Sequence, residues 1–349
     1  MDNTTRYASV NTKVRALEGR MLETQDYLNL LSKKSVPEIA AYLKQKTHYM
    51  DILSKADENQ MHRLQLENLI KESHIDGLNK IAYYFNGVYK DFYMSLYMKY
   101  EIEDLKAVLR AIKIKKADEL DYGSLVHIGI YSPIDKGTML SSKNCRDFVN
   151  NLKGTVYYDY LQGFSNVMDD MDLFRIQMTL DLAYFDLFYR SMQKMNKSDR
   201  KIVEHVQGVN VDLLNLQWIY RGLKFYNLSP EELFNYTIGY GEALSREYIK
   251  ELCYSKDIEE YQKKVLKGRY GFVFDHGRTK DILMERRILR YQHYKLITTL
   301  KKNLGMNISQ VIAYELLLED EVRDIVSIIE SVRYGMAVDA AKKFLIREL

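Results

Sequence analysis

The stretch KSVPEIAAYLKQKTHY, Lys34 to Tyr49, reads as a helix start, an amphipathic helix and a stop at a tyrosine. Ser35 stands ahead of Pro37 and Glu38, an arrangement that caps a helix and fixes its first turn. Val36, Ile39, Ala40 and Leu43 then recur at i, i+3, i+4 and i+7, one face of a helix. Two other stretches resemble it: SKNCRDFVNNLKGTVY (Ser142 to Tyr157) and SKDIEEYQKKVLKGRY (Ser255 to Tyr270). Cys145, Phe148, Val149 and Leu152 repeat the apolar face in the second, and Ile258, Tyr261 and Val265 in the third. The closing tyrosines, Tyr49, Tyr157 and Tyr270, lie 108 and 113 residues apart.

A second landmark keeps the same period. The segments IEDLKAVLRAIK, VDLLNLQWIYRGLK and VRDIVSIIESVRYG carry Arg110, Arg221 and Arg333, 111 and 112 residues apart. A period near 110 exceeds the roughly 34 to 47 residues of helical solenoid repeats and matches a small domain. The reading is an all-α chain of three tandem helical-bundle repeats, 1–104, 105–214 and 215–349. Tyrosine-rich helices between the landmarks and the lack of a glycine- or serine-rich linker make them one packed body. Repeats of like surface tend to close symmetrically, so the expected shape is a pseudo-threefold funnel round a central hollow.

Composition supports helix. Only 3 of 349 residues are proline and 17 are glycine, both below ordinary usage. Each proline follows a serine and precedes an acid (Ser35/Pro37/Glu38, Ser132/Pro133/Asp135, Ser229/Pro230/Glu232), so all three are expected to begin helices. Lys+Arg is 51 against 48 Asp+Glu, a net charge of +3 that argues against a nucleic-acid binder. Two distant cysteines, Cys145 and Cys253, without CxxC spacing suggest a reducing compartment and no structural zinc. The N-terminus lacks the apolar core of a signal peptide, and no stretch approaches the ~20 apolar residues of a membrane span. The chain is expected to be soluble or peripheral to a membrane.

Catalytic patterns are missing. There is no P-loop, and Gly239 and Gly241 in IGYGEAL follow no strand, so they read as a local turn or close helix contact. The seven histidines show no metal-ligand spacing, and neither metal nor cofactor is expected. DDMDLF (Asp169 to Phe174) departs from a DDxxD magnesium site because Leu173 holds the third carboxylate's place; it reads as an acidic helix start. Tyrosine, at 29, fits lateral packing of helices with one wet face, or a protein interface. Lys301 and Lys302 fit either a helix C-terminus or a contact with an acidic partner or lipid headgroups.

The order of short motifs along the chain resembles the C subunits of V-type and A-type ATPases, the family whose eukaryotic branch is called the d subunit. The resemblance rests on Arg15 to Met21, Thr24 to Leu28, and the capped helix after Lys34. It continues at Asp212, Asn215, Leu216, Ile219 and Arg221, and at Glu321, Arg323, Ile325, Ile328 and Glu330. Ser327 stands where the eukaryotic branch usually has an aromatic, which favours the prokaryotic branch. The resemblance implies a funnel-like, non-catalytic rotor component on the cytoplasmic face of the membrane. Its implied partners are the proteolipid ring and the D and F subunits of the central stalk, and its role is to transmit torque for ion transport or ATP synthesis. Arg323 and Glu330, seven residues apart on one helix face, are candidate interface or coupling residues, with Lys301 and Lys302 beside them. The other readings are a helical scaffold that binds peptides or helices in a central cavity, and a helical enzyme with an aromatic-lined cavity.

Overall fold

The computed structural model describes residues 3–54, 56–57, 61–116, 120, 122–129, 133–165, 173–226, 228–274, 283–303 and 305–349, with side chains from Thr5 onward. Every regular element among them is helical and none is a strand, as the proline and glycine counts predict. The chain divides into two compact units, residues 1–84 with 197–349, and residues 85–196.

The first unit opens with α1 (Asn3–Glu18), α2 (Thr24–Leu31), α3 (Val36–Lys46), α4 (Met50–Leu53) and α5 (Arg63–Ala82). Residues 85–196 hold α6 (Gly87–Ser95), α7 (Met98–Lys113), α8 (Lys136–Leu140), α9 (Cys145–Asn151), α10 (Val156–Leu161) and α11 (Leu173–Gln193). The first unit resumes with α12 (Lys197–Arg221), α13 (Pro230–Asn235), α14 (Arg246–Cys253) and α15 (Ile258–Leu266). It ends with α16 (Met284–Tyr291), α17 (Thr298–Lys302), α18 (Ser309–Arg333) and α19 (Val338–Ala341).

The spine of the first unit is α18, against which α1, α2, α3, α5, α12 and α17 all pack. Its stripe of Val322, Ile325, Ile328 and Ile329 meets Leu30 of α2 and Ile39 and Leu43 of α3 in one buried cluster. Each such side chain contributes about 1.5–3 kcal/mol by leaving water. The first fifty residues and the last long helix thus share a core. In the second unit α11 is the spine, packed on α6, α7 and α10. The Phe92 and Phe188 rings meet at 5.5 Å between centres, and Lys106 of α7 reaches Asp181 of α11 at 2.6 Å.

Two of the three prolines sit as expected. Ser35 caps α3 and accepts from the Glu38 amide, and Ser229 caps α13 and accepts from the Glu232 amide, each with proline in the first turn. Pro133 does not begin a helix: α8 starts three residues later, where the Asp135 carboxylate caps it by accepting from the Thr138 amide. Asp135 is already an acceptor with the right reach, so it takes the cap's place and leaves Pro133 in the preceding loop. Ser132 and residues 169–172 of DDMDLF lie outside the described residues; Leu173 opens α11. No described helix is long and apolar enough to cross a membrane.

Candidate functional site

The capped-helix segment folds the same way three times. Ser35, Asn144 and Asp257 cap α3, α9 and α15, accepting from the amides of Glu38, Asp147 and Glu260. Those three acids reach back to the amide of the lysine just before the cap: Lys34 at 3.1 Å, Lys143 at 3.3 Å and Lys256 at 2.9 Å. Ser142 and Ser255, which open the second and third stretches in the sequence, are therefore not the caps; the residues two places on are. A carboxylate in the first turn also favours the positive end of the helix dipole.

Each capped helix delivers its tyrosine to a buried carboxylate on a long helix. The Tyr49 hydroxyl donates to Glu321 of α18 at 2.9 Å, Tyr157 to Glu101 of α7 at 2.7 Å, and Tyr270 to Asp212 of α12 at 3.0 Å. All three tyrosines and all three acids are buried. Two of the acids also hold loop backbone. Glu321 accepts from the Leu22 amide at 2.7 Å, and Asp212 from the Ala243 and Leu244 amides at 2.7 and 3.3 Å. One turn on, a second residue on each helix repeats this. Asp104 accepts from the His127 and Ile128 amides, and Asp324 from those of Ile346 and Arg347. Asn215 both accepts from and donates to the backbone of Ile238. An acid and an Asx three residues apart lie on one helix face, so each helix clasps a tyrosine and a loop together.

Burial dominates the electrostatics. It holds the Glu321 carboxyl up at about 7, against the Leu22 and Tyr49 hydrogen bonds that pull it down. It pushes Asp324 up to about 6 and raises Asp212. It also raises Tyr49, Tyr157 and Tyr270 well above an ordinary phenol, with the facing carboxylate adding to the shift. These tyrosines stay protonated and act as donors. Hydrogen bonds to a charged group contribute about 1.5–3 kcal/mol each, and stranding a buried carboxylate costs more. The clasps are buried fastenings.

The clasps correct the register of the arginine landmark. Arg110 and Arg221 each lie nine residues past the clasp acid, but the residue at that place on α18 is Glu330; Arg333 is three residues further. The acids themselves, Glu101, Asp212 and Glu321, are the cleaner repeat, and the acid-x-x-Asx pattern on each long segment was its visible signal.

Of the residues singled out for an interface, Arg323 pairs along its own helix with Glu319 at 2.7 Å. Glu330 accepts from Arg63 of α5 and lies 3.5 Å from Arg333. Lys301 lies 3.2 Å from Glu18 of α1, and Lys302 is exposed beside it at the C-terminus of α17. Gly239 and Gly241 fall in the loop between α13 and α14, where Gly241 runs so close to α12 that a Cβ would lie 2.1 Å from the Asp212 carboxylate. A cavity of about 70 Å³ lies among Leu17, His48, Asp51, Lys80 and Tyr314, room for a few waters. Among the described residues no group of His, Cys, Asp or Glu is placed to hold a metal ion.

Residues 10–344 match the family described as ATP synthase (C/AC39) subunit. Among similar curated proteins is the C subunit of the A-type ATP synthase of Methanosarcina mazei, 25% identical over 82% of this chain and 78% of that protein. The same subunit from Methanosarcina barkeri is 22% identical over 99% of this chain and 94% of its own length. That of Methanosarcina acetivorans is 23% identical over 92% and 88%.

Proposed function

Because the chain belongs to the ATP synthase (C/AC39) subunit family, whose members are structural and not catalytic parts of the complex, we propose that it is a rotor coupler. In this reading it joins the central stalk, built of the D and F subunits, to the membrane proteolipid ring from the cytoplasmic side and transmits torque between them. The match over nearly the whole chain supports this reading over a peptide-binding scaffold or an enzyme with an aromatic cavity.

The observation that carries the mechanical part is the clasp between Tyr49 and Glu321, 272 residues apart. A coupler must resist twisting, and this clasp fastens the segment after α3 to α18 so that the two part only by breaking a buried hydrogen bond. The pairing order supports a closed body. Tyr157 and Tyr270 each clasp the long helix preceding them, α7 and α12, while Tyr49 clasps α18, which precedes it only if the order is read cyclically. A pseudo-threefold funnel of three related bundles, with repeats 1–104, 105–214 and 215–349 along the sequence, gives that cyclic order. The hollow would take the tip of the stalk, and helix ends would meet the ring. Arg323, Glu330, Lys301 and Lys302 are proposed to lie at these interfaces. The ion pairs of Arg323 with Glu319, Glu330 with Arg63 and Lys301 with Glu18 would hold those three in place for that contact.

The test is recovery of the tagged chain from membranes of its source, washed at low and high salt. Proteolipid and stalk proteins should elute with it in fixed ratio. Recovery of the chain without either, from membranes that retain an intact ATPase, would overturn the reading.

A further inference from the structure

The turn after the spine helix α18 displays an unbroken apolar run. Residues 333–339, RYGMAVD, are all exposed, the longest such run among the described residues. From Tyr334 to Val338 no residue is charged, and the only polar side-chain atom is the Tyr334 hydroxyl. Tyr334, Met336 and Val338 are 70%, 39% and 40% exposed. A single exposed hydrophobic needs no cause, but adjoining ones mark a contact surface. These three lie in one turn of the first unit, so a single surface can meet them together.

The turn is fastened at both ends. Tyr334 caps α18, Gly335 takes a φ of 61°, and the Met336 amide donates to the Ser331 carbonyl, a Schellman turn. An apolar contact from the place of Met336 back to the last helical turn usually accompanies this motif. Here the positions that would supply it hold Ser331 and Glu330. On the far side the Ala340 and Ala341 amides donate to the Ala337 carbonyl and start α19. Beyond α19 the Arg290 guanidinium holds the Lys342, Lys343 and Leu345 carbonyls, and Asp324 holds the Ile346 and Arg347 amides. A turn pinned in this way has little slack to fold its apolar side chains inward. Cations flank it. Arg333 lies 5.1 Å from the Tyr334 ring centre, and Lys342 and Lys343 follow one turn after Val338. The acids of this segment are matched: Glu330 pairs with Arg63, and Asp339 lies 3.9 Å from Lys342. Arg333 and Lys343 supply surplus positive charge.

The chemistry of the run selects its occupant. A protein pocket gains most from a few large side chains ringed by polar contacts, whereas this run joins its apolar side chains through Gly335 and Ala337 and offers one hydroxyl. Apolar groups beside a tyrosine, with lysine and arginine at the flanks, suit the boundary between lipid headgroups and acyl chains. Anionic headgroups complement the flanking cations. We propose that residues 334–338 form a membrane-contact turn. It places Tyr334, Met336 and Val338 in the interfacial layer of a bilayer that carries anionic lipid, with Arg333 and Lys343 on the headgroups. The inference rests on the coupler reading for nearness to a membrane and adds to it a direct contact with lipid.

The experiment uses the full chain. Met336→Cys is labelled with an environment-sensitive fluorophore, since Cys145 and Cys253 are buried. The label's emission should shift to the blue on phosphatidylglycerol vesicles and stay in place on phosphatidylcholine vesicles. Co-sedimentation with phosphatidylglycerol vesicles is then compared for the parent, for Tyr334→Ser, Met336→Ser and Val338→Ser together, and for Arg333→Gln with Lys343→Gln. Both variants change exposed sites and should melt within about 2 °C of the parent. The apolar variant should lose roughly tenfold or more in vesicle binding, and the charge variant a similar factor at low salt. Binding to the detergent-solubilised proteolipid ring, measured in parallel, should stay at the parental level in both. A parent that binds the ring but leaves the label unshifted on phosphatidylglycerol overturns the lipid contact and leaves the coupler reading intact. A parent that binds the vesicles through this turn but not the ring supports the contact and overturns the coupler reading. An equal shift on both kinds of vesicle overturns the part given to anionic lipid. An apolar variant that binds vesicles like the parent, or that loses only the ring, overturns the proposal and, in the second case, makes the occupant a protein.

Discussion

Tyr49 donates its phenolic hydrogen to Glu321, 2.9 Å away and 272 residues further along the chain. Tyr49 is 1% exposed and Glu321 2%, so water cannot replace the bond if it is lost. Tyr49→Phe should therefore destabilise the protein by about 1–3 kcal/mol, the cost of a lost hydrogen bond to a buried carboxylate. Tyr157→Phe and Tyr270→Phe should fall in the same range, because their partners are equivalent. Urea unfolding of the three variants measures this; a variant with parental stability would remove its clasp from the account.

Glu321 gives the fold a pH dependence whose sign follows from its burial. Its folded-state carboxyl titrates at about 7, against roughly 4.3 when unfolded. Between these values the native state keeps a proton that the unfolded chain releases, so this group's contribution falls as pH rises through that window. Asp26, Tyr27, His48 and Arg347 lie near enough to modulate it. Glu321→Gln keeps an acceptor for Tyr49 and removes the charge. Relative to the parent it should gain about 2–4 kcal/mol between pH 5 and pH 8, read as the change in the difference of their urea midpoints. A difference that does not vary with pH would contradict an ionising, buried Glu321.

The two glycines of IGYGEAL should behave differently. A Cβ at Gly241 would collide with the Asp212 carboxylate, whereas a Cβ at Gly239 would meet nothing within 4 Å. Gly241→Ala should cost about 2 kcal/mol or more by forcing the loop off its clasp, and Gly239→Ala should stay within about 0.5 kcal/mol of the parent. Thermal melting of the pair checks the ordering.

Much of this is legible in the sequence, and the exceptions have physical causes. The capped helix at Ser35 and its tyrosine are readable because cap chemistry is local: an acceptor, a proline and an acid within four residues. The other two copies carry no proline to mark the start, and their caps are Asn144 and Asp257, two residues past the opening Ser142 and Ser255. Several polar residues in a row can all serve, and only the backbone decides. Pro133 departs from expectation for the same reason, with Asp135 taking over as cap. The clasps are half visible. Tyr49, Tyr157 and Tyr270 stand out as helix endings, but the carboxylates they meet lie 56 to 272 residues away, and no local rule pairs them. Arg333 shows the hazard of matching residue type without a structural role, for Glu330 occupies its expected place and bonds to Arg63.

Lys115 holds a left-handed φ of 57°, a conformation that costs a non-glycine residue about 1 kcal/mol. Gly335 occupies the corresponding place after α18 at φ 61°. Lys115→Gly should stabilise the protein by roughly 0.5–1 kcal/mol, visible as a higher melting temperature. A fall in melting temperature would show that the lysine side chain, not the turn, matters there.

Coupling itself is tested most directly by rebuilding the rotary complex in liposomes with and without this chain and measuring ATP hydrolysis and ion transport together. With the chain present the two should run in fixed proportion. Without it, the head and stalk should continue to hydrolyse ATP while ion transport disappears. Transport that persists at normal coupling in the complex lacking the chain would contradict the account.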